Sequence, residues 1–214
     1  MVLAASVNVT TAVTPKGERR RYTLVSAAAE LLREGGFEAV RHRAVAQRAG
    51  LPLASTTYYF SSLDELIASA VEHIEMLEVA QLRARLEGVS RRRRSAETTG
   101  EMLVDLLLGG HEDAQLTEQL ISRYERYIVC ARQPALREIQ RRILHQRSGA
   151  VIDAVERSGR IARAEMADAV LRIIDGAVMA ALVDDCQGPP AVARAAVADV
   201  IDLLAPLDQR AVSA

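Results

Sequence analysis

Residues 41–60, RHRAVAQRAGLPLASTTYYF, constrain the fold of this chain more tightly than any other segment. Small apolar residues recur there at helical spacing, and the segment contains no Asp or Glu. Gly50 can end a helix because glycine enters left-handed backbone conformations at little cost, and Pro52 suits the first turn of a new helix. The segment therefore predicts two short helices joined by a tight turn, with the second helix starting near Leu53.

The side chains of this helix pair predict contact with duplex DNA. In the second helix Ala54, Ser55 and Thr57 are small or hydroxylated, which lets a backbone lie close to base edges. Residues 1–60 hold eight Lys or Arg against four Asp or Glu, whereas residues 61–214 hold nineteen against twenty-four. A basic surplus beside such a helix pair favours phosphate binding, because counterion release drives association with DNA.

The composition predicts an all-α protein. The chain has 214 residues and is 50% hydrophobic, which is enough for a sizeable core but not for more than two modest domains. Glycine and proline are few, and no alternating β-branched run is bounded by turn signals. Aspartates such as Asp175 interrupt the longest apolar stretches, so no membrane partner is expected.

No pattern in the chain favours catalysis, a cofactor or a bound metal. The four histidines are dispersed, and no GxSxG, P-loop or GxGxxG sequence is present. Cys130 and Cys186 lack CxxC spacing, and no N-terminal run has the layout of a secretion signal. We therefore expect a non-enzymatic protein of the cytoplasm.

Several motifs together carry a resemblance to a known family. Residues 27–40, AAAELLREGGFEAV, place Gly-Gly-Phe at the end of a first helix, and AVAQRAG forms the second. An aromatic cluster closes the third helix, and Ser62-x-Asp64-Glu65-Leu66 opens a fourth. Aligned without a gap, residues 41–66 resemble the DNA-binding motif of the TetR family of bacterial transcriptional regulators, and residues 27–40 resemble that family's first helix and its turn. The resemblance covers roughly the first third of the chain.

The resemblance and the basic face together give a set of candidate DNA contacts. Arg43 matches a family position at which arginine reaches a base edge, and a guanidinium suits guanine O6 and N7. Arg41 and His42 begin the same helix, where phosphate can be held, although His42 is equally consistent with a surface cap. The full candidate set is Arg41, His42, Arg43, Leu53, Ala54, Ser55, Thr57, Tyr58 and Tyr59. Phe60 is expected in the core, and Tyr58 is open between core and phosphate contact.

Three departures from the family pattern affect DNA recognition. Thr57 stands where the family has tyrosine, Tyr59 where it has histidine, and Leu63 where it has lysine. The operator sequence of relatives is therefore not transferable to this chain. The arginines at residues 19–21 are expected to be solvated, with a minor-groove arm as the alternative. The run Arg91–Arg94 is expected to be a solvated loop, with a DNA contact as the alternative.

The resemblance implies three functional segments and about nine helices. We expect a flexible tail at residues 1–15, a three-helix helix-turn-helix DNA-binding domain at 16–62 and a helical-bundle ligand-binding and dimerisation domain at 63–214. The first helix is expected at about residues 16–34, and helices of the second domain near 96–109, 112–131, 134–158, 164–183 and 189–205.

The last two helices carry the predicted dimer contacts. In the family they pair with those of a second subunit as a four-helix bundle, and the alternative is that their apolar faces pack within one chain. The candidate dimer residues are Gly176, Ala177, Ala180, Val192, Ala196 and Val200. Ligand-lining candidates are Tyr124, Tyr127, His145 and Asp175, with ordinary packing as the alternative. Because little charge is expected to face inward in these helices, a small apolar effector is expected.

The sequence thus predicts a homodimeric repressor that binds a palindromic duplex DNA operator through the major groove and is released by a small-molecule effector. A helical dimeric scaffold or adaptor that no longer binds DNA is the alternative. Only Thr57 and Leu63 favour that alternative, because both depart from residues that contact DNA in the family.

Overall fold

The computed structural model describes residues 15–109, 114–184 and 188–209. The tail expected at residues 1–15 falls outside these ranges apart from Pro15, and so do His111 and Cys186. Within the ranges the chain forms nine α-helices and no β-strand, which confirms the all-α class. The helices are α1 (Pro15–Ala39), α2 (His42–Ala49), α3 (Leu53–Tyr59), α4 (Leu63–Glu87), α5 (Ala96–Leu108), α6 (Ala114–Arg132), α7 (Pro134–Arg157), α8 (Ala164–Ala181) and α9 (Pro189–Leu204).

The chain divides into two compact units, residues 1–73 and 74–214, with the boundary inside α4. We call them the N-terminal unit and the body. The functional division expected from the sequence, with a DNA-binding domain at 16–62, stays a proposal. Among the helices that the structure describes, none is both long enough and apolar enough to cross a membrane.

The N-terminal unit packs its helices around one aromatic ring. Phe60 is 1% exposed, and Leu24, Leu32 and Leu66 are buried with it. Arg21 lies over the Phe60 ring at 5.0 Å from the centroid, so that its stem and charge cover the edge of this core. The arginines at residues 19–21 belong to α1 itself and form part of its first turns.

Backbone conformation at Gly36 interrupts α1. Gly36 has φ 64° and ψ −166°, a region that an L side chain strongly disfavours, and Gly35 before it is also non-helical. The chain therefore changes direction near the position at which the sequence predicts the end of the first helix. A single short turn then continues to Ala39.

Serine side chains cap the start of α4. The Ser62 hydroxyl oxygen accepts a hydrogen bond from the Glu65 N–H at 3.1 Å. The Glu65 carboxylate in turn accepts from the Ser61 N–H and hydroxyl, each at 2.7 Å. These bonds lower the pKa of Glu65 by stabilising its charged form. Ser61 and Ser62 thus cap the amino-terminal end of α4 through these hydrogen bonds.

The body packs α9 against both α5 and α8. Its core includes Val104, Val170, Ile174 and Ile201, each fully buried. Glycine at position 100 permits a close approach of α5 to α9. A Cβ atom there would lie 3.0 Å from the Arg194 carbonyl oxygen and 3.3 Å from the Ala198 nitrogen.

A buried arginine fastens the end of α9 to the segment before α5. Arg160 is 3% exposed and donates to the Asp202 carboxylate at 2.7 Å, the Ala205 carbonyl at 2.9 Å and the Arg94 carbonyl at 3.3 Å. An isolated antiparallel bridge pairs Arg160 with Leu207. This bridge holds the chain after α9 against the chain after α7.

The basic run Arg91–Arg94 corrects one expectation. It lies in a loop between α4 and α5, as the sequence predicts, but only its first three side chains are exposed. Arg94 is 7% exposed, so the description of the whole run as solvated is wrong. Its guanidinium points inward because five oxygens of the surrounding loops, from Ser90, Arg92, Arg157 and Ser158, accept its hydrogen bonds.

Candidate nucleic-acid interface and buried polar cluster

The turn between α2 and α3 has the hydrogen bonds of a Schellman motif. Gly50 adopts φ 64° and ψ 30°, its N–H donates to the Gln47 carbonyl at 3.2 Å, and the Leu51 N–H donates to the Ala46 carbonyl at 3.0 Å. Pro52 then precedes the first residue of α3 with φ −58°. Glycine and proline thus fix the turn locally, and the two short helices follow as the sequence predicts.

Two arginines of α2 differ in what they contact. Arg48 forms ion pairs with Glu34 at 2.7 Å and with Glu30 at 3.3 Å, both on α1. Arg43 is exposed and forms no hydrogen bond or ion pair with any residue that the structure describes. The guanidinium of Arg43 is therefore free to contact a partner, whereas that of Arg48 stabilises the N-terminal unit.

The remaining α2 candidates lie at its first turn. Arg41 donates to the Glu38 carboxylate and to the Val40 carbonyl, the latter at 3.1 Å. His42 is partly buried, and its Nδ1 atom has no hydrogen-bond partner. An exposed pair such as Arg41 and Glu38 contributes little to stability, so a phosphate can displace the carboxylate at small cost.

The α3 candidates are mostly exposed. Leu53 is 52% exposed and Tyr58 77%, so the alternative that Tyr58 belongs to the core is wrong. Tyr59 is half-buried, and its ring meets that of Tyr58 edge to face with centroids 4.9 Å apart. Ala54 and Thr57 are exposed, and Ser55 is half-buried. Neither α2 nor α3 contains Asp or Glu, and together they expose the unpaired guanidinium of Arg43 and the phenol of Tyr58.

Three of the four ligand-lining candidates meet inside the body. Tyr124 on α6 donates to the Asp175 carboxylate on α8 at 3.1 Å, and the Tyr124 and Tyr127 rings stack edge to face at 5.7 Å. Arg147 on α7 donates to the Tyr127 hydroxyl and lies 3.4 Å from Asp175. Burial and the Asp175 charge raise the pKa of Tyr124. His145 is exposed and makes no hydrogen bond with these residues.

A carboxylate pair on α4 extends this buried polar cluster. Arg126 donates to Glu78 at 2.6 Å and lies 3.6 Å from Glu75, which is 1% exposed. One Glu75 carboxylate oxygen and the Nε of Arg126 have no hydrogen-bond partner among the described residues. Burial, reinforced by the Glu78 charge, raises the pKa of Glu75 to about 6. We call Glu75, Glu78, Tyr124, Arg126, Tyr127, Arg147 and Asp175 the polar cluster.

The polar cluster corrects the expectation that the body keeps little charge inward. The sequence analysis missed Glu75, Glu78, Arg126 and Arg147. A signal was present for the first two, because they occupy positions of the apolar stripe of α4, four and seven residues after Val71. A carboxylate inside an apolar stripe indicates a buried charge with a partner.

The dimer candidates lie on partly or fully exposed faces of α8 and α9, although Ala177 also packs against the core of the body. Gly176 and Ala180 on α8 are exposed and Ala177 is half-buried, as are Val192, Ala196 and Val200 on α9. Nothing lies within 4 Å of a Cβ atom built at Gly176. The nearby apolar side chains Met179 and Leu203 are 43% and 83% exposed. The stripes that pack within the chain are different ones, for example Val178 on α8 and Val197 on α9.

Comparison with known families and structures identifies the two units. The family profile described as "Bacterial regulatory proteins, tetR family" matches residues 24–70, and "Tetracyclin repressor-like, C-terminal domain" matches residues 94–203. The second match alone spans half of the chain. No curated protein matches.

Solved structures share the fold over most of the chain. A protein from Streptomyces coelicolor A3(2), assigned as a transcriptional regulator, has 26% identity and a TM-score of 0.66, covering 85% of this chain and 98% of that one. A transcriptional regulator from Rhodococcus sp. Rha1 has 24% identity and a TM-score of 0.65, covering 87% and 98%. The multidrug binding protein EbrR, complexed with ethidium, has 24% identity and a TM-score of 0.65, covering 88% and 99%. The chain belongs to the TetR family of bacterial regulatory proteins and is a DNA-binding transcriptional regulator, not an enzyme.

Proposed function

We propose that this protein is a cytoplasmic homodimeric repressor that binds a palindromic operator in duplex DNA and is released by a small-molecule effector. The observation that carries the DNA-binding part is the exposed face of α2 and α3, two helices that contain no Asp or Glu. On this surface Arg43 has no protein partner, whereas Arg48 in the same helix is held by carboxylates of α1.

The proposed contacts divide into base reading and phosphate holding. Arg43 reads a guanine edge, because its planar guanidinium matches O6 and N7. Arg41, His42 and Tyr58 hold phosphates around it. Leu53 and Ala54 lack polar groups and contribute at most packing against thymine methyls. Ser55, Thr57 and Tyr59 complete the contact surface.

A charge-matched pair of α2 variants tests this proposal. Arg43→Ala and Arg48→Ala remove the same charge from the same helix, but only Arg43 is free to reach DNA. Selection from random duplexes first supplies the operator. We expect Arg43→Ala to weaken operator binding about 10-fold to 100-fold, since a bidentate base contact contributes ~1–3 kcal/mol. Arg48→Ala is expected to weaken it less than about threefold.

Equal losses in the two variants would show that the contact is only electrostatic and would contradict the assignment of Arg43 to base reading. Retention of full operator affinity in Arg43→Ala would favour the scaffold alternative, for which Thr57 and Leu63 are the supporting features. Fluorescence anisotropy at fixed ionic strength measures both variants, because salt alone changes such affinities by orders of magnitude.

The second subunit is proposed to bind the uncovered surfaces of α8 and α9. Small residues at Gly176, Ala177 and Ala180 permit close helix approach, and Val192, Ala196 and Val200 add apolar surface. A palindromic operator requires two symmetric readers, with half-sites about one helical turn or a multiple of it apart.

The effector is proposed to bind beside the polar cluster. Tyr124, Tyr127 and Asp175 supply hydrogen-bonding groups within an apolar core, the combination that ligand pockets use. The structural relative EbrR is complexed with ethidium, which supports an effector with an aromatic body and a polar group. This proposal adds a polar group to the small apolar effector that the sequence predicts. His145 is exposed and lies outside the polar cluster.

Ethidium serves as a first effector probe. We expect it to raise the melting temperature of the protein and to reduce operator affinity about 10-fold, because a ligand shifts a conformational equilibrium only by its preference for one state. Tyr127→Phe removes the hydroxyl that Arg147 contacts and tests whether the polar cluster takes part. Compounds that stabilise the protein without releasing DNA would contradict the proposed switch.

A further inference from the structure

A cleft in the body lies between the end of α4, the following loop and α5. Its volume is about 540 Å³, which is within the ~300–1,000 Å³ of small-molecule sites. Three guanidinium groups line it, from Arg85, Arg92 and Arg94, together with Ser90 and Thr98. We call it the basic cleft. No residue of the polar cluster lines it.

Arg94 brings a buried positive charge to the basic cleft without a carboxylate partner. It is 7% exposed, and its hydrogen bonds go to neutral oxygens, among them the Ser90 carbonyl at 3.0 Å and the Arg157 carbonyl at 3.3 Å. In the described part of the chain no carboxylate oxygen lies within 4 Å of it. Burial, reinforced by the Arg92 charge, lowers the pKa of Arg94, as expected for a cation without a counterion.

The other two guanidinium groups of the cleft are also without a paired carboxylate in the described ranges. Arg85 donates its Nε–H to the Leu106 carbonyl at 2.9 Å, and burial lowers its pKa. Arg92 is exposed. Two carboxylates line the cleft, but Asp105 is paired with Arg194 at 2.9 Å and Glu101 is exposed to solvent. The basic cleft therefore has an excess of positive charge.

Buried arginines elsewhere in the body have carboxylate partners. Arg126 is paired with Glu78 at 2.6 Å, and Arg160 with Asp202 at 2.7 Å. Burying a guanidinium without a counterion is costly, so the body otherwise supplies one. The lack of a partner for Arg94 is thus a local feature of the cleft and not the general pattern of the body.

We propose that the basic cleft binds a small multivalent anion, a metabolite that carries phosphate or carboxylate groups. Arg92 is exposed and can donate two parallel N–H···O bonds to such an oxyanion. Arg94, whose terminal N–H groups already donate to neutral oxygens, contributes its positive charge. The anion supplies the negative charge that Arg85, Arg92 and Arg94 lack. This site is separate from the effector site proposed at the polar cluster, and it gives a role to the run Arg91–Arg94.

Two neighbouring arginines provide a matched test. Arg91 and Arg92 are both exposed and adjacent, but only Arg92 lines the cleft. Isothermal titration calorimetry of the full chain with inorganic pyrophosphate and with citrate measures anion binding. We expect Arg92→Glu to weaken binding of the tighter anion about 10-fold or more, and Arg91→Glu to weaken it less than about threefold, although both change the net charge equally. Arg92→Gln, which only removes the charge, is expected to lie between them.

Each outcome decides the proposal. Pyrophosphate binding alone assigns a phosphate ligand, citrate binding alone assigns a carboxylate ligand, and both results support the site. Failure of both anions to bind at millimolar concentration would overturn it, as would equal weakening by Arg91→Glu and Arg92→Glu. If the wild type binds neither anion and Arg92→Glu loses operator affinity, the proposal is overturned and the run Arg91–Arg94 contacts DNA instead. Circular dichroism confirms that the variants fold.

Discussion

Glu75 shows how a single buried carboxyl group makes stability depend on pH. It is 1% exposed, and its pKa is raised from an ordinary value of 4.5 to about 6, chiefly by burial and then by the Glu78 charge. A raised pKa means that folding favours the protonated form. The stabilisation is therefore fully present below about pH 4.5 and is lost as the pH rises through about 6.

Glu75→Gln mimics the protonated group and should be more stable than the wild type at neutral pH. We expect a gain of about 1–2 kcal/mol in the free energy of unfolding at about pH 7.5, shrinking toward zero as the pH falls to about 4.5. Arg126 keeps its Glu78 partner in this variant. Urea unfolding at both pH values measures the effect. A loss of stability at pH 7.5 would show that the ion pair with Arg126 outweighs the cost of burial.

Glu87→Gln is the control, because Glu87 is exposed near the end of the same helix. Its effect should stay within about 0.5 kcal/mol at both pH values.

Residues whose role is set by local geometry could be predicted, whereas residues whose role is set by distant partners could not. The conformational freedom of Gly50 predicts its turn, and the size of the apolar Phe60 side chain predicts its burial. Arg94 and Arg147 resemble exposed arginines in the sequence. Their burial depends on oxygens supplied by other helices and loops, which no local pattern reveals.

Helix positions in this chain follow from periodicity and from glycine and proline signals. Pro134 opens α7 and Pro189 opens α9 as predicted, because proline suits the first turn of a helix. The distance between packed helices could not be predicted from the sequence. Glycine has a low helix propensity, which is all that the sequence indicates at Gly100, but the structure shows that its lack of a side chain permits the contact of α5 with α9.

Substituting alanine at two helical glycines distinguishes the effect of helix propensity on stability from the effect of packing. Gly149→Ala on α7 has no neighbour within 4 Å, so the better helix propensity of alanine should raise the free energy of unfolding by about 0.5–1 kcal/mol. Gly100→Ala places its methyl group 3.0 Å from the Arg194 carbonyl of α9. Since α9 also packs on α8, it cannot move away freely, and we expect a net loss of about 1–2 kcal/mol.

Thermal and urea unfolding of both variants measure the difference. A gain in Gly100→Ala as large as that in Gly149→Ala would show that α5 and α9 have room to separate, contrary to the packing described.

Association of two chains is the property that most affects the function of the whole molecule. The body buries one stripe of α8 and one of α9 internally, and the uncovered residues of the two helices include small and apolar ones such as Gly176, Ala180 and Leu203. An exposed apolar surface of this kind favours a protein partner over solvent. The sequence predicts these surfaces from the small residues of α8 and the apolar stripe of α9, and we propose that a second copy of the chain covers them.

Arginine at two exposed helical glycines tests the proposed dimer without disturbing the fold of one chain. Gly176 on α8 and Gly149 on α7 both have open space within 4 Å, so each chain should tolerate either substitution. Gly176→Arg places an unpaired charge in the proposed interface twice, once from each subunit, and should weaken association at least ~100-fold. Gly149→Arg adds the same charge on another helix and should leave the dimer intact.

Light scattering coupled to gel filtration, at about micromolar concentration, should then give the mass of one chain for Gly176→Arg and of two chains for the wild type and Gly149→Arg. Because a palindromic operator needs two readers, Gly176→Arg should also lose operator affinity although its Arg43 is unchanged. A wild-type monomer, or a Gly176→Arg dimer, would place the interface elsewhere or remove it. If Gly176→Arg remains a dimer, the exposed apolar surface of α8 and α9 would have to bind a different partner.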